Sequence, residues 1–68
     1  MNLKFSKRLA ELRIESNMSR NTLASLLKIN PRTISYWELG QRECSLEQLI
    51  QLAIIFKTTT DYILGLEN

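Results

Sequence analysis

The sequence predicts an all-α protein, a compact five-helix orthogonal bundle, and three observations favour this fold class. Apolar residues recur at helical spacing, as Phe5, Leu9 and Leu12 do near the start of the chain. Residues typical of helix ends separate the apolar segments at short intervals. No strand-like, repetitive or low-complexity segment interrupts this pattern. Residues 1–68 are therefore expected to form one domain with a modest core.

Two polar residues mark the junction between the first and second helices. The first helix is expected over about 3–16, and Asn17 ends it because asparagine tolerates a left-handed backbone. Ser19 is the expected cap of the second helix, since its hydroxyl can accept from free backbone N–H groups. The second helix spans about 20–27, and its expected buried residues are Leu23, Leu26 and Leu27.

The remaining helices also have recognisable ends. Asn30-Pro31 opens the third helix, because asparagine caps and proline suits the first helical position, and Gly40 closes it after about residue 39. Ser45 and Gln48 fit a capping box for a fourth helix over about 46–56. Thr59 caps a fifth helix over about 60–64. The expected core residues are Ile34 and Trp37 in the third helix and Leu46, Leu49, Ile50 and Ala53 in the fourth.

The charges are unevenly distributed, although the net charge is only +2. Basic residues predominate in 1–42, whereas 43–68 contain four acidic residues against Lys57. This asymmetry suits a polyanion on one face of the molecule.

The composition also argues against several classes of protein. With Cys44 alone and no histidine, the chain can form neither an internal disulfide nor a zinc site, and we expect no catalytic residues, metal or cofactor. Cys44 is expected to be a half-buried packing residue, with a redox-sensing thiolate as the alternative. No apolar run is long enough to span a membrane, and the N-terminus lacks a signal peptide, so a cytoplasmic location is expected.

Residues 19–39 contain the most informative arrangement, two short helices joined by a three-residue turn. A helix-turn-helix places its second helix in the DNA major groove while the first lies above it. Leu23, Ala24 and Leu27 can face the core, and the small Ala24 lets the helices approach closely. Ile29 and Ile34 complete the packing between them.

The chain strongly resembles the phage-repressor and Cro-like (lambda-repressor-like, XRE-type) family of helix-turn-helix regulators. The segments that carry the resemblance are Arg8-Leu9-Ala10-Glu11-Leu12-Arg13, Met18-Ser19-Arg20-Asn21-Thr22-Leu23-Ala24, Ile29-Asn30-Pro31-Arg32-Thr33-Ile34-Ser35-Tyr36-Trp37-Glu38-Leu39-Gly40 and Thr59-Thr60-Asp61-Tyr62-Ile63-Leu64-Gly65. The resemblance implies a small transcriptional regulator, expected to be a repressor, that binds a palindromic site in double-stranded DNA as a homodimer. It also implies a bacterial or phage-encoded protein associated with the nucleoid.

The resemblance implies roles for individual residues as well. The implied base contacts are Arg32, Thr33, Ser35 and Tyr36, and the implied phosphate contacts are Ser19, Arg20, Asn21, Asn30, Gln41 and Arg42. Arg13 and Glu38 match positions that form a structural ion pair between the first and third helices. Three residues depart from the family's pattern, namely Arg20 in place of glutamine, Lys28 in place of the turn glycine and Pro31 in place of a base-reading side chain.

The last two helices have more apolar residues than a small bundle needs. The surplus predicts a homodimer patch, and its candidate residues are Ile54, Ile55, Tyr62, Ile63 and Leu66. An alternative is an antitoxin-like or anti-regulator module that binds a different protein through this surface.

Overall fold

The computed structural model describes residues 3–67, and all five predicted helices are present in it. They are α1 (Leu3–Glu15), α2 (Arg20–Leu27), α3 (Pro31–Glu38), α4 (Leu46–Ile55) and α5 (Thr60–Leu64). Each helix ends within one residue of the expected position, and the described part of the chain contains no strand. None of the helices in this range is long and apolar enough to cross a membrane.

Side-chain caps fix the beginnings of four helices. The oxygens of Ser19, Asn30 and Thr59 each accept a backbone N–H from the first turn of the helix that follows, at 2.8–3.0 Å. Ser45 and Gln48 form the predicted capping box, with reciprocal bonds of 2.8 and 3.1 Å. Caps of this kind satisfy donors that have no partner within the helix, and each typically contributes about 1 kcal/mol. The short helices are therefore defined locally as well as by packing.

Several connections use left-handed backbone, as predicted at Asn17. Asn17 and Lys28 have φ angles of 57° and 58°, and both follow the end of a helix. Lys28 thus occupies a conformation that glycine adopts at lower cost. Gly65 ends α5 with φ 85°, and a Cβ built there would lie 2.5 Å from the Cβ of Lys4. Gly65 is therefore needed both for its backbone angle and for close approach to α1.

One apolar core joins all five helices. Its buried members are Phe5, Leu9, Leu23, Ala24, Leu27, Ile34, Trp37, Cys44, Leu49, Leu52, Ala53 and Ile63. The core explains why such short helices are stable here, because their apolar faces are buried against one another.

Three residues expected in the core are exposed, so those predictions were wrong. Leu26 is 55% exposed, because α2 buries the arc formed by Leu23, Ala24 and Leu27. Leu46 and Ile50 are 72% and 45% exposed, because α4 buries Leu49, Leu52 and Ala53. The helix α4 is apolar around most of its circumference, so its sequence fits more than one buried stripe.

Candidate nucleic-acid interface

The helix-turn-helix predicted over 19–39 is formed by α2 and α3, which pack directly on each other. The left-handed Lys28 turns the chain, and the backbone N–H of Ile29 donates to the carbonyl of Ala24 at 3.0 Å. Leu23 and Ala24 of α2 meet Ile34 of α3 in the core, where all three are at most 1% exposed. The inner face of α3 is thus sealed, and its opposite face is left at the surface.

The four predicted base-contact residues lie on the outer part of α3. Arg32 is exposed, and Thr33, Ser35 and Tyr36 are half-buried. Arg32 and Tyr36 are four residues apart and therefore share one face of the helix. Within residues 3–67 the guanidinium of Arg32 has no hydrogen-bond or ion-pair partner, so its donors are available to an external acceptor.

Arg42 lies against Tyr36, although the two residues belong to different segments. The guanidinium carbon of Arg42 is 4.7 Å from the centroid of the Tyr36 ring, a cation–π geometry. The turn through Gly40 (φ 75°) makes this contact possible, and the backbone N–H groups of Gln41 and Arg42 donate to the carbonyl of Tyr36 at 2.9 and 3.3 Å. The sequence did not predict the stacking, since no motif links an aromatic residue to a cation beyond a turn.

The predicted ion pair between Arg13 and Glu38 is confirmed. Nε of Arg13 lies 2.7 Å from Oε2 of Glu38, and Nη2 lies 3.3 Å from Oε1. The third guanidinium nitrogen donates to the carbonyl of Met18 at 2.9 Å. The side chain of Glu38 is only 3% exposed, so the pair is shielded from water and joins α1, the following turn and α3.

Arg20 also binds Glu38, which the sequence reasoning missed. Its Nε donates to Oε1 of Glu38 at 3.0 Å, while its side chain remains 47% exposed. One carboxylate therefore accepts from two arginines on different helices. The terminal nitrogens of Arg20 have no hydrogen-bond partner among residues 3–67, so its role as a phosphate contact stays a prediction.

The other predicted phosphate contacts lie at two places near this surface. Ser19, Asn21 and Asn30 are exposed at the beginnings of α2 and α3, and Gln41 is exposed just after α3. The Ser19 and Asn30 oxygens accept cap hydrogen bonds, and the Ser19 hydroxyl also shares a 3.0 Å hydrogen bond with the hydroxyl of Thr22. The amide group of Asn30 retains donors for an anion. The structure thus places these residues at the surface, and their role as phosphate contacts stays a prediction.

Only some residues of the predicted homodimer patch lie at the surface. Ile54 and Leu66 are largely exposed, and Ile55 and Tyr62 are half-buried. Ile63 was assigned to the patch wrongly, because it is 0% exposed and packs in the core. Ile63, the fourth residue of the five-residue α5, lies on the side of this helix that packs into the core.

Arg8 of α1 contacts both the ring and the backbone of Tyr62. The guanidinium carbon of Arg8 lies 4.2 Å from the centroid of its ring, and Nη1 of Arg8 donates to the Tyr62 carbonyl at 2.6 Å. The same nitrogen donates to the carbonyl of Glu67, and the carboxylate of Glu67 accepts from the hydroxyl of Thr59. Arg8 thus fastens the segment around α5 to α1.

Cys44 packs in the core, close to the expected half-buried position. It is 8% exposed, and desolvation by burial raises the pKa of its thiol, outweighing a backbone hydrogen bond that lowers it. A thiol with a raised pKa forms less thiolate at neutral pH, and the thiolate is the reactive species. This environment favours the packing role over the redox-sensing alternative.

Comparison with known proteins agrees with this geometry. The model of a protein family described as helix-turn-helix matches residues 9–63. The HTH-type transcriptional regulator AnsR of Bacillus subtilis (strain 168) is 47% identical over 61 residues, which make up 90% of this chain and 53% of AnsR. The chain therefore spans about half the length of this curated relative.

Two solved structures share the fold over nearly the whole chain. A transcriptional regulator from Listeria innocua superposes with a TM-score of 0.90 at 28% identity, covering 100% of this chain and 64% of the regulator. The restriction-modification controller protein C.AhdI from Aeromonas hydrophila superposes with a TM-score of 0.80 at 33% identity, covering 90% and 92% of the two chains. The five-helix arrangement is thus similar to that of known regulators.

Proposed function

We propose that this chain, which belongs to the helix-turn-helix family, is a transcriptional regulator. It binds a specific sequence in double-stranded DNA. The observation that carries the proposal is the outer face of α3, where Arg32 is exposed and has no ionic partner within residues 3–67. An arginine in this position can donate two parallel hydrogen bonds to O6 and N7 of a guanine, which discriminates by about 1–3 kcal/mol against other bases.

The base contacts that the resemblance implies for α3 are supported by the exposure of Arg32 and by its spacing from Tyr36. Tyr36 lies one turn after Arg32 and would contact the next base pair along the groove, by its hydroxyl or by its ring against a thymine methyl. Thr33 and Ser35 border this pair and would contact bases or the nearby backbone. Pro31 contributes no donor, so Arg32 carries the greater part of the direct readout.

The phosphate contacts assigned to this surface bracket α3. Arg20, Ser19 and Asn21 stand at the beginning of α2, and Asn30 stands at the beginning of α3. Gln41 and Arg42 follow the end of α3. Donors on both sides of a recognition helix would hold two stretches of DNA backbone and fix the helix in the groove.

We further propose that the protein acts as a homodimer on a two-fold symmetric site and represses transcription there. A single module of this size contacts few base pairs, and pairing two of them about one helical turn apart supplies the missing specificity. Because its ligand is genomic DNA, the protein would act in the cytoplasm of a bacterium, on the chromosome or on a phage genome.

The experiment that tests the function is selection of binding sites from a random pool of duplex DNA at near-physiological salt. The wild type is expected to enrich a two-fold symmetric motif, and Arg32→Ala is expected to lose the preference at one base pair in each half. Lys7→Ala, which removes an exposed cation from α1, is the control and is expected to select the wild-type motif.

Two outcomes contradict the proposal. An unenriched pool with the wild type would leave only salt-dependent, non-specific binding and would overturn sequence-specific regulation. An Arg32→Ala variant that enriches the unchanged wild-type motif would show that α3 does not read the bases in the way described. In the first case the interaction module with a protein partner becomes the better interpretation. In the second case sequence-specific DNA binding stands, and only the role of Arg32 in reading the bases is overturned.

A further inference from the structure

Glu38 accepts hydrogen bonds from two arginines that differ greatly in exposure. The side chain of Glu38 is 3% exposed, that of Arg13 is 13% exposed and that of Arg20 is 47% exposed. Arg13 donates to both carboxylate oxygens, from Nε to Oε2 at 2.7 Å and from Nη2 to Oε1 at 3.3 Å. The carboxylate is therefore oriented from the inside of the protein, and its Oε1 also accepts from Nε of Arg20 on the outside, at 3.0 Å.

The contact between Arg20 and Glu38 joins the two ends of the helix-turn-helix that the turn leaves apart. Arg20 is the first residue of α2 and Glu38 is the last residue of α3, whereas residues 28–30 connect the other two ends. The ion pair thus restricts the movement of these helix ends relative to each other, and it also restricts the directions in which the Arg20 side chain can lie.

A guanidinium that is held through Nε has its remaining donors fixed in direction. The group is planar and rigid, with one N–H on Nε and four on the two terminal nitrogens. In Arg20 the bond to Glu38 uses the Nε donor, and the terminal nitrogens have no hydrogen-bond partner among residues 3–67. Two guanidiniums and one carboxylate leave a net charge of +1, so this cluster is suited to one singly charged anion such as a backbone phosphate.

We propose that Glu38 is a positioning residue for DNA binding, which orients the terminal nitrogens of Arg20 towards one phosphate of the DNA backbone. The inference rests on the proposed function and deepens it. A free arginine side chain loses rotamer freedom when it binds a phosphate, and the bond to Glu38 removes part of that freedom before the DNA arrives. Glu38 thus acts on the DNA through Arg20, although its own charge has the same sign as that of the phosphates.

The sign of the effect distinguishes positioning from the action of charge alone. Removing a negative charge near the interface would strengthen binding to a polyanion if only the summed charge mattered. Positioning predicts weaker binding, because Arg20 loses its fixed direction when the carboxylate is absent. A general displacement of α3 also predicts weaker binding, but that loss would not depend on Arg20.

The test is a double-mutant cycle in affinity for one duplex, with Glu38→Gln and Arg20→Ala. Glu38→Gln is expected to weaken binding by at least about threefold when Arg20 is present, and to cause no loss in the Arg20→Ala background. Arg42→Ala is the matched control, because Arg42 is another predicted phosphate contact and stacks on Tyr36 instead. In that background the loss caused by Glu38→Gln is expected to be unchanged, and circular dichroism shows whether each variant retains its helices.

A measurement on the wild type tests the same inference if Glu38→Gln does not fold. The Nε–H signal of Arg20 in a proton–nitrogen NMR spectrum, assigned by its loss in Arg20→Ala, reports whether the bond to Glu38 persists. We expect this proton to exchange slowly with water in the free protein and to remain slow when a duplex is bound. Faster exchange in the complex would show that Arg20 leaves Glu38 in order to bind DNA, and would overturn the inference.

The outcomes separate this inference from the proposed function. A wild type that binds no duplex would overturn the function and the inference together. Tighter binding by Glu38→Gln, or an equal loss with and without Arg20, would overturn the positioning role and leave sequence-specific binding intact. A loss confined to the proteins that keep Arg20 would assign Glu38 to DNA binding as well as to stability.

Discussion

The guanidinium of Arg42 stacks on the ring of Tyr36, with its central carbon 4.7 Å from the ring centroid. The backbone of Arg42 also donates to the carbonyl of Tyr36, so the contact is held at two points. One face of the ring is covered as a result, and the Tyr36 hydroxyl has no hydrogen-bond partner among residues 3–67. Arg42 thereby orients a residue that is predicted to read DNA.

We expect Arg42→Ala to weaken the sequence preference at the base pair contacted by Tyr36. Loss of an exposed cation–π contact costs about 0.5–1 kcal/mol, which corresponds to a few-fold in affinity for the preferred base. Binding to duplexes that vary only at this base pair measures the effect. Arg42→Lys keeps a cation but loses the planar stack, and a phosphate-only role for Arg42 would predict equal binding losses for every duplex.

Glu38 is expected to be important for stability, because two arginines depend on its carboxylate. Glu38→Gln leaves the half-buried guanidinium of Arg13 without a counter-charge, and we expect a loss of about 3 kcal/mol in the free energy of unfolding. Arg20→Ala removes the exposed partner and should cost less than about 1 kcal/mol. Urea denaturation of the two variants beside the wild type measures both values. Equal losses would mean that the two ion pairs do not differ as their burial indicates.

Arg20 has a second expected role that stability does not report. If its free terminal nitrogens contact a phosphate, Arg20→Ala reduces the slope of log affinity against log salt concentration by about one. Titration of a selected duplex at several salt concentrations gives the slope, and Lys7→Ala serves as the distant control. An unchanged slope would assign Arg20 to the Glu38 contact alone.

Lys28 offers a stabilising substitution. Its φ of 58° and ψ of 45° place a side chain in the left-handed region, where glycine lacks the steric penalty of about 1 kcal/mol. We expect Lys28→Gly to raise the free energy of unfolding by up to about 1 kcal/mol, less the entropy that glycine adds to the unfolded chain. Thermal denaturation checks the direction, and a lower midpoint would show that the lysine side chain makes a compensating contribution.

Cys44 should be protected from alkylation in the folded protein. Burial raises the pKa of its thiol, so thiolate is scarce at neutral pH and reagent access is limited. We expect iodoacetamide to modify it at a rate that follows the population of unfolded protein. Modification in native buffer as fast as that in urea would contradict the packing role and restore the redox-sensing interpretation.

The helix boundaries followed from local chemistry, which is why they were predictable. Ser19, Asn30, Ser45 and Thr59 each cap the helix expected of them, because a cap depends on a few neighbouring residues. The Arg13–Glu38 pair followed from resemblance to a family rather than from spacing. The capping residues thus predicted the helix boundaries, and the resemblance to the family predicted one contact between residues distant in sequence.

The buried face of a helix and the contacts between residues distant in sequence were harder to predict. Periodicity alone did not show which face of α4 is buried, since Leu46 and Ile50 are as apolar as Leu49 and Leu52. The contacts of Arg20 with Glu38 and of Arg42 with Tyr36 join different segments, so they depend on how the helices pack. Such contacts require the three-dimensional arrangement to be known first.

The two faces of α3 differ in their contacts, and this has a consequence for design. Ile34, Trp37 and Glu38 fasten α3 to the rest of the protein, whereas Arg32 and Tyr36 project from the opposite side. Under the proposed function, these projecting residues are therefore expected to be exchangeable for those at the same positions of a helix-turn-helix regulator, with little effect on folding. Tyr36 would have to be transplanted together with Arg42, so the smallest unit of retargeting extends past the end of the helix.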